Sequence, residues 1–174
     1  MEKLKLIAFD ADDLAVISAH LQDALLKVED IAYLPRQKRF AAVGCRFDWA
    51  RAIRESSTQP FTRCESALRL ERVLGARLTG IDLERKQDVL SLLAIQFTPI
   101  NSDDPEGHIT LYFAGGGAIR LHVECIEVEL RDLGDPWQTP RKPEHRVADP
   151  AGDDLSRKSK AAPTEPGDAQ CRST

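Results

Sequence analysis

The apolar residues of this chain follow two periods, and the switch between them sets the predicted fold. Residues 3–9, KLKLIAF, read as a strand, and residues 11–25 as a helix with Leu14, Ile17, Leu21, Ala24 and Leu25 on one face at helical spacing. Ser18, Gln22 and Asp23 supply polar positions away from the centre of that stripe. The period then becomes two. KVEDIAYLPRQKRFAAVGCRFDW predicts a hairpin of strands near 27–34 and 39–48, turned at Pro35–Lys38. On its second strand Ala41, Val43, Cys45, Phe47 and Trp49 share a face, and Ala42, Gly44, Arg46 and Asp48 take the other. Residues 50–66 are polar and turn-rich and read as a long surface connection. Strand patterns return at 67–79 and at 88–98, the latter apolar on both faces as suits a central strand. NSDDPEG, 101–107, is a turn.

The last patterned run, HITLYFAGGGAIRLHVECIEVELRDLG, predicts a hairpin in more detail. With Gly115–Gly117 as a three-residue loop, Phe113 pairs with Ile119, Leu111 with Leu121 and Ile109 with Val123, so all of these land on one side. The other side carries Tyr112 opposite Arg120, Thr110 opposite His122 and His108 opposite Glu124. A two-residue loop mixes the faces, which burial disfavours. Beyond Cys125 the alternation changes phase. A bulge at Cys125–Ile126 restores it on one strand. A short helix over 126–133 capped by Gly134 is the rival, and the β-branched residues favour the strand.

Composition changes near residue 135. The domain is expected over residues 1–137, and the proline- and charge-rich stretch 138–174 is expected to be a disordered tail, because it has too little apolar surface to offset the entropy of ordering. Pro136 and Trp137 are expected to pack on the domain. A formal net charge of −4 argues against general affinity for nucleic acid or anionic lipid. No apolar run approaches the roughly 20 residues that span a bilayer, and the charged N-terminus lacks a cleavable signal's apolar stretch, so a cytoplasmic protein is expected. Cys45, Cys64, Cys125 and Cys171 form no CxxC pair, and four free thiols are the expectation. No metal or other cofactor is expected.

Candidate chemistry begins at LKLIAFDADDLAV, 4–16, an apolar strand delivering Asp10 and Asp12 as haloacid-dehalogenase-type phosphatases do. That motif continues with glycine and then threonine or valine, where this chain has Asp13 and Leu14. A carboxylate there repels phosphate. A helix cap explains all three acids: Asp10 accepts from free amides, and Asp12 and Asp13 favour the positive end of the helix dipole. FAGGGA leads into a strand with no Lys-Ser/Thr, so it is no phosphate loop. His122–Glu124 matches the H-x-E of zinc deaminases, but no P-C-x-x-C follows. What remains is the outer row His108, Thr110, Tyr112, Arg120, His122 and Glu124, either a solvated sheet face held by cross-strand pairs or a polar recognition surface.

LIAFDADDLAVISAHLQDA, followed by AYLPRQKRF, RFDW, LSLLAIQF and FAGGGAIRLHVECIEVELRDLG, resembles a bacterial family described as domain of unknown function 2948, over roughly residues 3–137. The resemblance implies a cytosolic bacterial protein, with no family activity and no catalytic residues to carry over.

The expected fold class is α+β: a mostly antiparallel sheet, curled or a half-barrel, with one main helix packed on it. A small pleckstrin-homology-like β-barrel is the runner-up. The expected function is a non-enzymatic binding or adaptor domain with an unidentified protein partner, open to homodimerisation through a sheet edge or face, and binding neither nucleic acid nor membrane. The alternative is an enzyme of unknown reaction, working through Asp10 and Asp12 or through the face carrying Tyr112, Arg120 and His122. A third reading, an RNA- or ribosome-associated factor, is weakened by the acidic balance.

Overall fold

In the computed structural model, which describes residues 3–54 and 61–143, the aspartates at the start of the chain form a cap. Asp10 is extended, with φ −139° and ψ 177°, and its Oδ1 accepts the Asp13 N–H at 2.8 Å. Behind it Ala11–Leu21 forms α1, whose Leu14, Ile17 and Leu21 are buried. The preceding strand, β1 (Lys5–Ala8), lies at a sheet edge antiparallel to a later strand. This is not the parallel central strand whose carboxyl end carries a phosphatase-type site.

The helix stops earlier than its apolar stripe predicts. Asp23 takes a left-handed φ of 62°, and Ala24 and Leu25 turn into the next strand. Asp23 N–H donates to the Leu92 carbonyl at 2.8 Å, and Leu92 N–H donates to Ala24 at 2.9 Å. Strand pairing wins residues that fit the helical period equally well.

The remaining elements are β2 (Leu25–Leu34), β3 (Arg39–Phe47), α2 (Trp49–Arg54), β4 (Phe61–Leu70), β5 (Val73–Thr79), β6 (Val89–Pro99), β7 (Gly107–Phe113), β8 (Ala118–Val123), β9 (Val128–Asp132) and β10 (Trp137–Thr139). The hydrogen-bonded order is β1-β9-β4-β3-β2-β6-β7-β8-β5, with β10 added on β4. Among the described residues every pairing is antiparallel. The sheet curls around its core but does not close, since β1 and β5 end the path. The fold is therefore α+β with a curled antiparallel sheet, and α1 packs against β6, β1 and β3. Phe40, Leu70, Leu92, Ile109, Leu111, Phe113, Ile119, Leu121 and Leu130 fill the interior with the helix stripe.

The predicted β2–β3 hairpin is present, turned by a 3-10 segment at Pro35–Gln37 with Lys38 left-handed. Its core face is the one carrying Phe40 and Ala42. Cys45 and Phe47 of the opposite set are also buried, Phe47 against Trp49 and Phe61 at ring distances of 4.6 and 5.6 Å. Residues 50–66 are not one surface connection. Much of α2 and the first half of β4 lie there, with Thr62, Cys64 and Ser66 buried, while 55–60 fall outside the described residues. Cys64 and Cys125 are free thiols, but Cys45 is disulfide-bonded, against the expectation of four free thiols. Scattered spacing carries no information about which sulfurs the fold brings together. Trp137 lies half-buried in β10, and the expected tail falls outside the described residues from 144 onward.

Two predicted strands break at one corner. The pattern at 67–79 splits where Arg72 takes a φ of 60°, giving β4 and β5. The run after β8 likewise breaks at Glu124–Glu127 and resumes as β9 rather than as a helix. Glu71 N–H donates to the Glu127 carbonyl and Glu124 N–H to that of Arg72, each at 3.0 Å. The two ribbons thus turn together, and β5 is laid along β8.

The glycine hairpin differs in register. Tyr112 pairs with Ala118, Thr110 with Arg120 and His108 with His122. The loop keeps three residues but moves one position back, to Ala114–Gly116: Phe113 N–H donates to the Gly117 carbonyl at 2.8 Å, and Gly115 and Gly116 both take left-handed φ, 82° and 87°. A slip of two residues moves every partner but leaves every side chain on its face, so burial alone could not choose between the registers.

One polar group ties the half of the sheet around β9 together. Asp132 receives Arg46 Nε and Nη2, each at 2.8 Å, Ser66 Oγ at 2.7 Å and the Leu4 N–H at 3.0 Å. Both charged side chains are 6% exposed. Burial pushes the Asp132 carboxyl up, but the hydrogen bonds from Arg46 and Ser66 outweigh it and hold the group below its ordinary value. A depressed carboxyl contributes stability that is fully present above its unfolded value and is lost as pH falls through the folded one. Asp132→Asn, which leaves a buried guanidinium without its anion, should cost about 3–5 kcal/mol in urea unfolding at neutral pH. The wild type should lose stability as pH falls below about 4, and the variant should lack that part of the acid limb. Gly107→Ala should cost about 1–3 kcal/mol by the same assay. Its added Cβ would sit 2.3 Å from the Phe97 ring and 2.7 Å from the Thr98 carbonyl oxygen.

Candidate functional site

On the outer face of β6, β7, β8 and β5 the registers align side chains in rows across the strands. One row runs Thr98, His108, His122, Gly75; the next runs Gln96, Thr110, Arg120, Arg77; a third runs Ala94, Tyr112, Ala118, Thr79. Between the first two rows a groove of about 430 Å³ opens, lined by Gly75, Ala76, Arg77, His108, Arg120 and His122.

The charges there are arranged against stability. Arg77 and Arg120 are directly opposed cross-strand partners, and like charges so placed repel. Among the described residues neither guanidinium has an ion-pair partner. The contrast with a second groove of about 290 Å³ near the β4–β5 corner is sharp. There Arg39 meets Glu71 at 2.8 Å, Arg69 meets Glu129 at 2.6 Å, Arg72 meets Glu127 at 3.1 Å, and Lys38 bonds Glu124. That surface is neutralised by its own acids; the face of β5 and β8 is not.

The imidazoles divide into two roles. His122 Nε2 lies 2.6 Å from Glu106 Oε1, just before β7. His108 stacks on His122, with ring centroids 5.2 Å apart and planes at 27°. Burial, then Arg120, His122 and Arg77, push His108 below the ordinary histidine value, with Glu106 opposing. These influences favour the neutral imidazole, which has one N–H donor and one acceptor.

Of the row read from the sequence, the structure brings His108, Arg120 and His122 together around the groove. Thr110 lies between Arg120 and Gln96 and is only 9% exposed. Tyr112 stands one row away, and Glu124 is drawn off to Lys38 and Arg72. Sequence reasoning missed Arg77, Gly75 and Glu106. Alternation within 67–79 marks Arg77 as a solvent-side residue, but no local signal sets that strand beside β8.

Other polar clusters are structural. Burial pushes the Cys64 thiol up to about 11, so it is no thiolate nucleophile at neutral pH. Burial and Arg46 lower His20. No group of metal-ligating side chains occurs among the described residues. No helix among them is long and apolar enough to cross a membrane.

Fold and face together define a class: a one-sheet α+β domain, with one main helix inside the curl and a cationic groove outside it. The chain belongs to the family described as protein of unknown function (DUF2948), whose family model matches residues 4–145. That match runs past β10 and includes every strand of the sheet. No curated protein and no solved structure matches the chain.

If Arg77 and Arg120 repel across the ladder, Arg77→Gln should raise stability by about 0.2–1 kcal/mol in urea unfolding. The His108 titration, followed by NMR of its ring protons, should move up toward the ordinary histidine value in Arg120→Gln.

Proposed function

We propose that this protein is a binding domain, non-enzymatic and cytoplasmic, that holds an anionic group in the groove between β5, β8 and β7. The carrying observation is the opposed, unneutralised pair Arg77 and Arg120, beside stacked His108 and His122. A repulsive pair on a strand that has room for other residues is a cost to the fold, and a bound anion converts it into an attraction. Gly75 supports the same reading. No atom lies within 4 Å of where its Cβ would stand, so the strand leaves the groove floor open beside the guanidinium pair. The volume falls in the range of about 300–1,000 Å³ common for small-molecule sites.

A second reading rests on the His122–Glu106 contact, since a carboxylate-oriented imidazole is also the arrangement of a general base. The groove lining favours binding over catalysis. Among the described residues its lining is Gly75, Ala76, two arginines and two histidines, and the one carboxylate close by, Glu106, is engaged by His122.

Titration of the full chain with inorganic phosphate, followed by NMR or calorimetry, should show saturable binding that weakens with salt. Arg77→Gln with Arg120→Gln should remove it while the melting temperature stays equal or rises. No saturable binding to the wild type would sink the reading. Turnover of a phosphate ester that His122→Gln abolishes would replace it with the enzyme. In its adaptor form, in which a protein partner carries the anion, the wild type retains that partner from cytosol and the double variant does not.

A further inference from the structure

The third row of the same face says what the anion is attached to. Tyr112 is 41% exposed, and its cross-strand neighbours on either side are Ala94 and Ala118. Alanine methyls rise no further from a sheet than Cβ, so nothing in that row walls off the tyrosine ring. Tyr112 pairs with Ala118 and Arg120 with Thr110, so the ring and the guanidinium are diagonal neighbours, about 7–8 Å apart at the backbone and within reach of one ligand. Beyond the ring the hairpin turns at Gly115 and Gly116, where a Cβ would meet no atom within 4 Å. An open aromatic platform therefore abuts an open cationic groove.

The charge count narrows the anion. Arg77 and Arg120 are the permanent cations of the groove, directly opposed and with no ion-pair partner among the described residues. A carboxylate neutralises one guanidinium and leaves the other repelled. A phosphate monoester, with a charge of about −1.5 to −2 at pH 7, matches both and has three oxygens to share between their forks.

We propose that the ligand is a phosphate monoester of a compound with a flat ring, of the nucleoside 5′-monophosphate class. Its phosphate lies on Arg77 and Arg120, and its ring stacks on Tyr112. This deepens the anion-site reading and rests on it. A free nucleotide is favoured over a polynucleotide, because the chain carries a net charge of −4 and the groove offers one dianion's worth of cations.

The test compares adenosine 5′-monophosphate, ribose 5-phosphate and a single-stranded oligonucleotide on the full chain, by calorimetry or NMR titration. The nucleotide should bind about tenfold or more tighter than ribose 5-phosphate, the gain expected of one base stacked on an aromatic ring. Tyr112→Leu should erase that gain and leave ribose 5-phosphate unaffected, whereas Tyr112→Trp should preserve it. Equal affinity for the two phosphates, both lost in the double arginine variant, would overturn the ring subsite and leave the anion site standing. If neither phosphate compound binds, both readings fall. Oligonucleotide affinity that climbs with length above that of the mononucleotide would overturn the small-ligand assignment in favour of a single strand.

Discussion

The bidentate contact between Arg46 and Asp132 is the constraint around which much of this fold is arranged. Arg46 comes from β3, Ser66 from β4, Asp132 from β9, and the Leu4 amide from just before β1. Four separate stretches of chain thus meet at one buried carboxylate. A buried ion pair of this kind adds little net stability over an apolar replacement. It is costly to leave half-formed, however, and that penalises any register of β3, β4 and β9 that fails to bring the groups together. Ser66 and Asp132 are direct cross-strand partners, so a slip of β9 on β4 would break the set at once.

From that anchored half the sheet continues to the half bearing the groove through the pairing of β2 with β6, and the chain crosses between the halves twice at one corner. Arg72 in the left-handed region lets β4 become β5, while Glu124–Glu127 lets β8 become β9. Around the corner Lys38, Arg72, Glu124 and Glu127 are joined in ion pairs, and Val73 N–H donates to the Lys38 carbonyl at 2.8 Å. These contacts hold β5, an edge strand with little cover of its own, alongside β8. The groove is thereby a product of the corner, since Arg77 meets Arg120 only where the ribbons have turned together.

The distribution of charge separates scaffold from site. At the corner and in the interior, cations face anions. On the outer face of β5 and β8 two guanidiniums face each other, and the nearby acid Glu106 is engaged by an imidazole. A surface that satisfies its own charges resists ligands, while one left repulsive gains from binding.

Much of the fold was legible because it depends on local periods. The Asp10 cap, the Leu14–Ile17–Leu21 stripe, the Pro35 turn and the apolar face shared by Ile109, Leu111, Phe113, Ile119, Leu121 and Val123 all follow from spacing within a few residues, and each is present. The end of the helix at Leu21 and the break at Arg72 were not legible, because Ala24 and Val73 satisfy a local pattern in either state and only a distant strand decides between them. The candidate site divides the same way. That His108, Tyr112, Arg120 and His122 share one face is a property of alternation, settled by the sequence itself. That His108 lies against His122 rather than Glu124, and that Arg77 completes the pair with Arg120, was decided by the tertiary structure. Strand order and two-residue register leave each side chain's burial unchanged, so they leave no mark on the pattern along the chain.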